Sequence, residues 1–86
     1  MPTLQFIIPI RVLLDWASAR MGIEISKVPQ HQAADLFRAW IDEGLFTPTT
    51  VRISIVATTD SYLRVEVEGG GREFRDVCRF LKIEGR

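Results

Sequence analysis

"VRISIVATTDSYLRVEVE", residues 51–68, carries apolar and polar side chains in alternation on either side of Thr58-Thr59-Asp60-Ser61. A period of two marks strands with one face toward a core and the other toward water. The stretch therefore predicts a β-hairpin of 51–57 and 62–68. For the alternation to be consistent, Val51, Ile53, Ile55 and Ala57 must share a face with Leu63, Val65 and Val67. A four-residue loop closing Ala57 on Tyr62 would set Ile55 opposite Arg64 and turn charge toward the core. A loop of odd length, such as one pairing Thr58 with Tyr62, aligns the faces and sets Arg52 opposite Glu68. The expectation is an odd-length turn.

Working outward, Gly69-Gly70-Gly71 separates the hairpin from a helical pattern over about residues 72 to 82, with Phe74, Val77, Cys78 and Leu81 on its inward stripe. Upstream, Ala33, Leu36, Phe37, Trp40 and Ile41 recur at helical spacing between Pro29 and Gly44, a second helix with start and stop signals at either end. Thr47-Pro48-Thr49-Thr50 is turn chemistry. At the N-terminal end, Thr3 to Ile8 reads as a strand apolar on both faces, and so covered on both. Pro9 suits the first turn of a helix running to Met21 and closed by Gly22. Ile23 to Ile25 is a short strand or an extended connection. The order β-α-(β)-α-β-β-α predicts a small α+β domain with helices packed on a mostly antiparallel sheet.

The 86 residues make one domain, taken as 1–82, with composition typical of globular proteins. Ile83-Glu84-Gly85-Arg86 is the recognition sequence of a protease used to remove affinity tags. It is either an engineering remnant or a native tail, and is set aside from functional argument. One cysteine, Cys78, argues for a reducing compartment, hence a cytoplasmic protein. The apolar N-terminal run lacks a basic start and is interrupted by Arg11 and Asp15, which argues against a signal peptide or membrane span.

Eleven basic and eleven acidic residues give zero net charge. Their distribution is uneven. At about 100° per residue, Arg72, Arg75, Arg79 and Lys82 fall within roughly 80° of one another, a basic ridge turned away from the apolar stripe. Residues 1–71 hold six basic and eight acidic side chains, so the neutral total hides a dipolar molecule. Such a ridge suits an acidic protein surface or a nucleic-acid backbone; its plainer reading is a solvated helix face.

The first helix carries a second anomaly. Ile10, Leu13, Leu14, Ala17 and Met21 define an inward face, while Val12, Trp16 and Ala19 form a stripe on the opposite side. A surface helix needs one apolar face. The second must be covered by another element of the chain, by a second copy, or by a partner.

Catalytic chemistry finds no foothold. His31 has no companion ligands at metal spacing, Asp42 and Glu43 diverge on a helix, and Cys78 is expected as a buried, inert thiol. The glycines lack both phosphate-loop patterns and read as a hinge. No cofactor or metal is expected. The sequence thus points to a protein-binding module without catalysis, a regulatory, adaptor or inhibitory subunit. It would dock on another protein or a second copy of itself through Val12, Trp16, Ala19, Arg72, Arg75, Arg79 and Lys82. The alternative is a winged-helix nucleic-acid binder, with Gln30, Gln32, Arg38, Arg52 and Arg64 facing the groove and backbone. Neutral charge and room for only one long helix between Ser26 and Gly44 weigh against it.

Overall fold

The computed structural model describes residues 2–45 and 49–86. Its elements are β1 (Thr3–Pro9), α1 (Ile10–Met21), a 3-10 turn (Gln30–Gln32), α2 (Ala33–Leu45), β2 (Arg52–Thr58), β3 (Tyr62–Glu68) and α3 (Gly71–Glu84). The three strands form one antiparallel sheet in the order β1-β3-β2, and the helices pack on one face of it. This is the small α+β domain that the alternation and helical spacings predict. Residues 23–25 form an extended connection, tied back where Ser18 Oγ accepts the Ile25 N–H at 2.8 Å. Thr47 and Pro48 of the expected turn lie outside the described residues. No described helix is long and apolar enough to cross a membrane.

The hairpin meets its register constraint by a different device from an odd turn. Arg52 does lie opposite Glu68, Ile53 opposite Val67 and Ile55 opposite Val65. Beyond Ile55 the register shifts by one, so that Ala57 faces Arg64 and Thr58 faces Leu63. Val56 is the extra residue of a β-bulge. The bulge lets the strands close on a tight turn in which the Thr59 N–H bonds the Tyr62 carbonyl at 2.9 Å, leaving two residues, Asp60 and Ser61, at the tip. Ala57 is accordingly moved off the core face, and Thr58 takes the core-side position.

Leu63, Val65 and Val67 are completely buried beneath the helices. Facing them on β1 are Ile8, Phe6 and Leu4. The opposite face of β1 is not covered: Ile7 is 52% exposed beside Arg64. The strand is apolar on both faces although it is an edge and its outer face is not enclosed, contrary to the expected cover. Pro9 ends β1 and caps α1, and the Ile10 N–H reaches the Ser61 carbonyl at 2.9 Å.

Ile10, Leu13, Leu14 and Ala17 bury the inner face of α1, whereas Met21, expected there, is 64% exposed. Gly22 closes the helix in the left-handed conformation at φ 70°. From α2, Phe37, Trp40 and Ile41 enter the core, with the Trp40 ring 4.7 Å from that of Phe80 on α3. The last helix runs past residue 82: Ile83 and Glu84 are helical, and Gly85 is buried. A Cβ at Gly85 would stand 2.6 Å from Ile8 Cδ1, so the end of α3 is packed onto β1.

Candidate functional site

The basic ridge and the edge strand meet. Arg75, Arg79 and Lys82 form one wall of an open groove between α3 and β1. Its floor is Leu4, Phe6, Phe74 and Cys78, with Gln5 and Ile83 at the rim. The lining contains no carboxylate. Leu4 is 48% and Ile83 55% exposed, while Phe6, Phe74 and Cys78 are half-buried. The groove therefore places solvent-accessible apolar surface beside three cations.

Backbone polarity adds a further feature. The Gly69 N–H bonds the Pro2 carbonyl at 3.1 Å and the Ile10 N–H bonds the Ser61 carbonyl, so even-numbered residues of β1 turn their main-chain groups toward β3. The N–H and C=O of Gln5 and Ile7 consequently point away from the sheet. Gln5 lines the groove although its side chain belongs to the opposite face, so the strand's bare edge forms that rim.

Among the described residues no carboxylate of α3 is ion-paired with the ridge. Glu73 turns toward the start of β2, accepting the Thr50 N–H at 2.7 Å and the Thr50 hydroxyl at 3.0 Å. These hydrogen bonds, the backbone one foremost, hold its carboxyl below its ordinary range. The single ion pair among the described residues joins Arg20 to Glu43 on the other side of the molecule. Arg72 lies on the ridge but outside the groove lining.

The other expected contact residues divide. Val12 and Trp16 are half-buried and pack against the core of their own chain. The Arg20 guanidinium lies 5.5 Å from the Trp16 ring centroid, a cation–π contact that covers part of what remains. Ala19 is exposed beside an open cleft that includes Ile23 and Gly22. The structure thus does not join the α1 stripe to the ridge in one groove.

Cys78 is half-buried, not enclosed, and burial pushes its thiol up, against the nearby Lys82 charge. It stays a neutral thiol on the groove floor at neutral pH. Among the described residues no cluster of His, Cys, Asp or Glu could hold a metal ion. At the glycines, Gly69 is buried with φ 156°, and a Cβ there would stand 3.2 Å from Val51 Cγ2 and 3.3 Å from the Thr50 carbonyl oxygen. Gly71 turns into α3 at φ 75°. With acidic Glu73 in the first turn, the segment serves as a joint and is ill suited to an anion.

What sequence reading missed is the floor. Phe74 and Cys78 read as inward and do face the sheet, yet they reach the sheet's edge. Leu4 and Phe6 carried no signal beyond strand membership. No family model, no curated protein and no solved structure matches the chain.

Proposed function

We propose that the protein is a small binding module, regulatory, adaptor or inhibitory, that docks on an acidic surface of another protein through the α3–β1 groove and performs no catalysis. One observation carries this reading: Arg75, Arg79 and Lys82 stand over an apolar floor in a lining without carboxylates. Three cations alone suit any anion. Cations beside Leu4, Phe6 and Phe74 suit a ligand that offers carboxylates and apolar side chains together, which an acidic protein segment does and a phosphate backbone does not.

The winged-helix alternative gains no specific support. A three-residue 3-10 turn runs straight into α2, so residues 26–44 hold one long helix where the motif needs two. Gln30 is engaged by its own chain, its Nε2 donating to the Thr58 carbonyl at 2.6 Å. Arg52 and Arg64 share the open sheet face with Glu66 and Glu68.

The test uses labelled acidic peptides, one of alternating Glu and Val and one helical with Glu and Leu, together with random duplex DNA. At least one peptide should bind, weaken with added salt, and be lost in Arg75→Glu/Arg79→Glu. Binding of DNA in preference to both peptides, or peptide binding indifferent to the double substitution, contradicts the reading.

A further inference from the structure

We infer that the groove takes its ligand as an added β-strand: an extended acidic segment of a partner protein pairs with the free edge of β1 beneath the basic wall of α3. The inference rests on the docking reading above and specifies its mode. The edge is regular. β1 pairs with β3 without interruption from Thr3 to Pro9, and the main-chain groups of Gln5 and Ile7 face outward. Natural sheets usually blunt a bare edge with a bulge, a proline, inward charge or a covering loop. The middle of β1 has none of these, and exposes Leu4 and Ile7 instead.

Charge decides the occupant. A second copy could pair edge to edge only about a two-fold axis perpendicular to the sheet, because antiparallel pairing keeps both sheets facing the same way. That axis would set two α3 helices on one face with their ridges toward each other. Arg75, Arg79 and Lys82 would confront their own copies within the range where salt screens poorly. An acidic strand turns the same contact to advantage. Its residues at i and i+2 enter the groove as glutamates, laying their methylene stems on Leu4, Phe6 and Phe74 and setting their carboxylates beneath the guanidinium groups. The apolar residues between them meet exposed Ile7 on the other face. Main-chain bonds then supply affinity, and the groove supplies selectivity.

The experiment titrates the full chain with the alternating Glu–Val peptide in three forms: unmodified, N-methylated on every second residue along one edge, and N-methylated along the other. One methylated form should bind about tenfold more weakly or worse than the unmodified peptide, since each blocked edge loses several hydrogen bonds. The other should retain its affinity. Gln5→Pro should reproduce the loss while leaving the melting curve close to wild type, because the N–H it removes does not bond β3. If both methylated forms bind as well as the parent, or if only the helical acidic peptide binds, docking by charge stands and strand addition is overturned. Failure of the unmodified alternating peptide to bind at millimolar concentration overturns it as well.

Discussion

The two edges of the sheet are built differently. On the β2 side the ladder is broken at Val56 by a bulge, and the outward carbonyl of Thr58 is already taken by Gln30. On the β1 side the ladder is unbroken, and α3 lines the edge with apolar side chains and cations. Bulges and caps are how a sheet avoids pairing with strangers. Protection of one edge and provision at the other is the pattern expected of a sheet that accepts a strand on one side only.

The largest effect should come from the strand both edges share. Leu63 is fully buried on β3, and Leu63→Ala should cost about 2–5 kcal/mol, read as a lower melting temperature. It should weaken both edges alike. A loss confined to one side would mean that the sheet does not unfold as a unit.

A smaller effect separates the two sides. Gly44 on α2 lies against the Phe80 ring, leaving no room for a methyl group. Gly44→Ala should destabilise the fold by about 1–3 kcal/mol although alanine is the better helix former. Because Phe80 belongs to α3, acidic-peptide binding at the β1 side should weaken with it. A stabilised variant would show that Phe80 turns aside at no cost.

Uncapping the protected edge sharpens the contrast from the other direction. Gln30→Ala removes one exposed hydrogen bond and should cost about 0.5–1 kcal/mol by denaturant titration, with peptide affinity unchanged.

The smallest effect is in pH. Glu73 has its carboxyl lowered by the Thr50 N–H, so its contribution is present above the unfolded value, 4.5, and is lost as pH falls through the lower folded one. Glu73→Gln should flatten the acid limb of the stability profile below that pH by lowering the neutral plateau slightly, with the two proteins converging in acid. An unchanged acid limb would mean that the Thr50 contacts do not persist in solution.

Much of this architecture was legible in the residues, and the illegible part has a physical reason. The alternation of 51–55 and 63–67 required that their apolar residues share a face, and the example register that sets Arg52 opposite Glu68 is the one found over that stretch. The same alternation misplaced Ala57, because parity can be restored by a bulge within a strand as well as by a turn between strands. The ridge of Arg75, Arg79 and Lys82 followed from helical geometry alone. Its apolar floor did not, since Phe74 and Cys78 show only that they face inward, not where the sheet beneath them ends. Whether β1 is central or marginal depends on which strand it pairs with, a tertiary fact absent from Thr3 to Ile8. The stripe of Val12 and Trp16 was a true anomaly whose partial cover, from the core and Arg20, is supplied within the chain.

Residue-resolved amide exchange on β1, with and without the alternating Glu–Val peptide, tests the central claim most directly. In the free protein Leu4, Phe6 and Ile8 should be protected by β3, while Gln5 and Ile7 exchange rapidly. Peptide should slow Gln5 and Ile7 and leave the outward amides of Ile53 and Ile55 on β2 unchanged. Protection appearing on β2 in place of β1, or slow exchange at Gln5 and Ile7 before any peptide is added, would contradict the account.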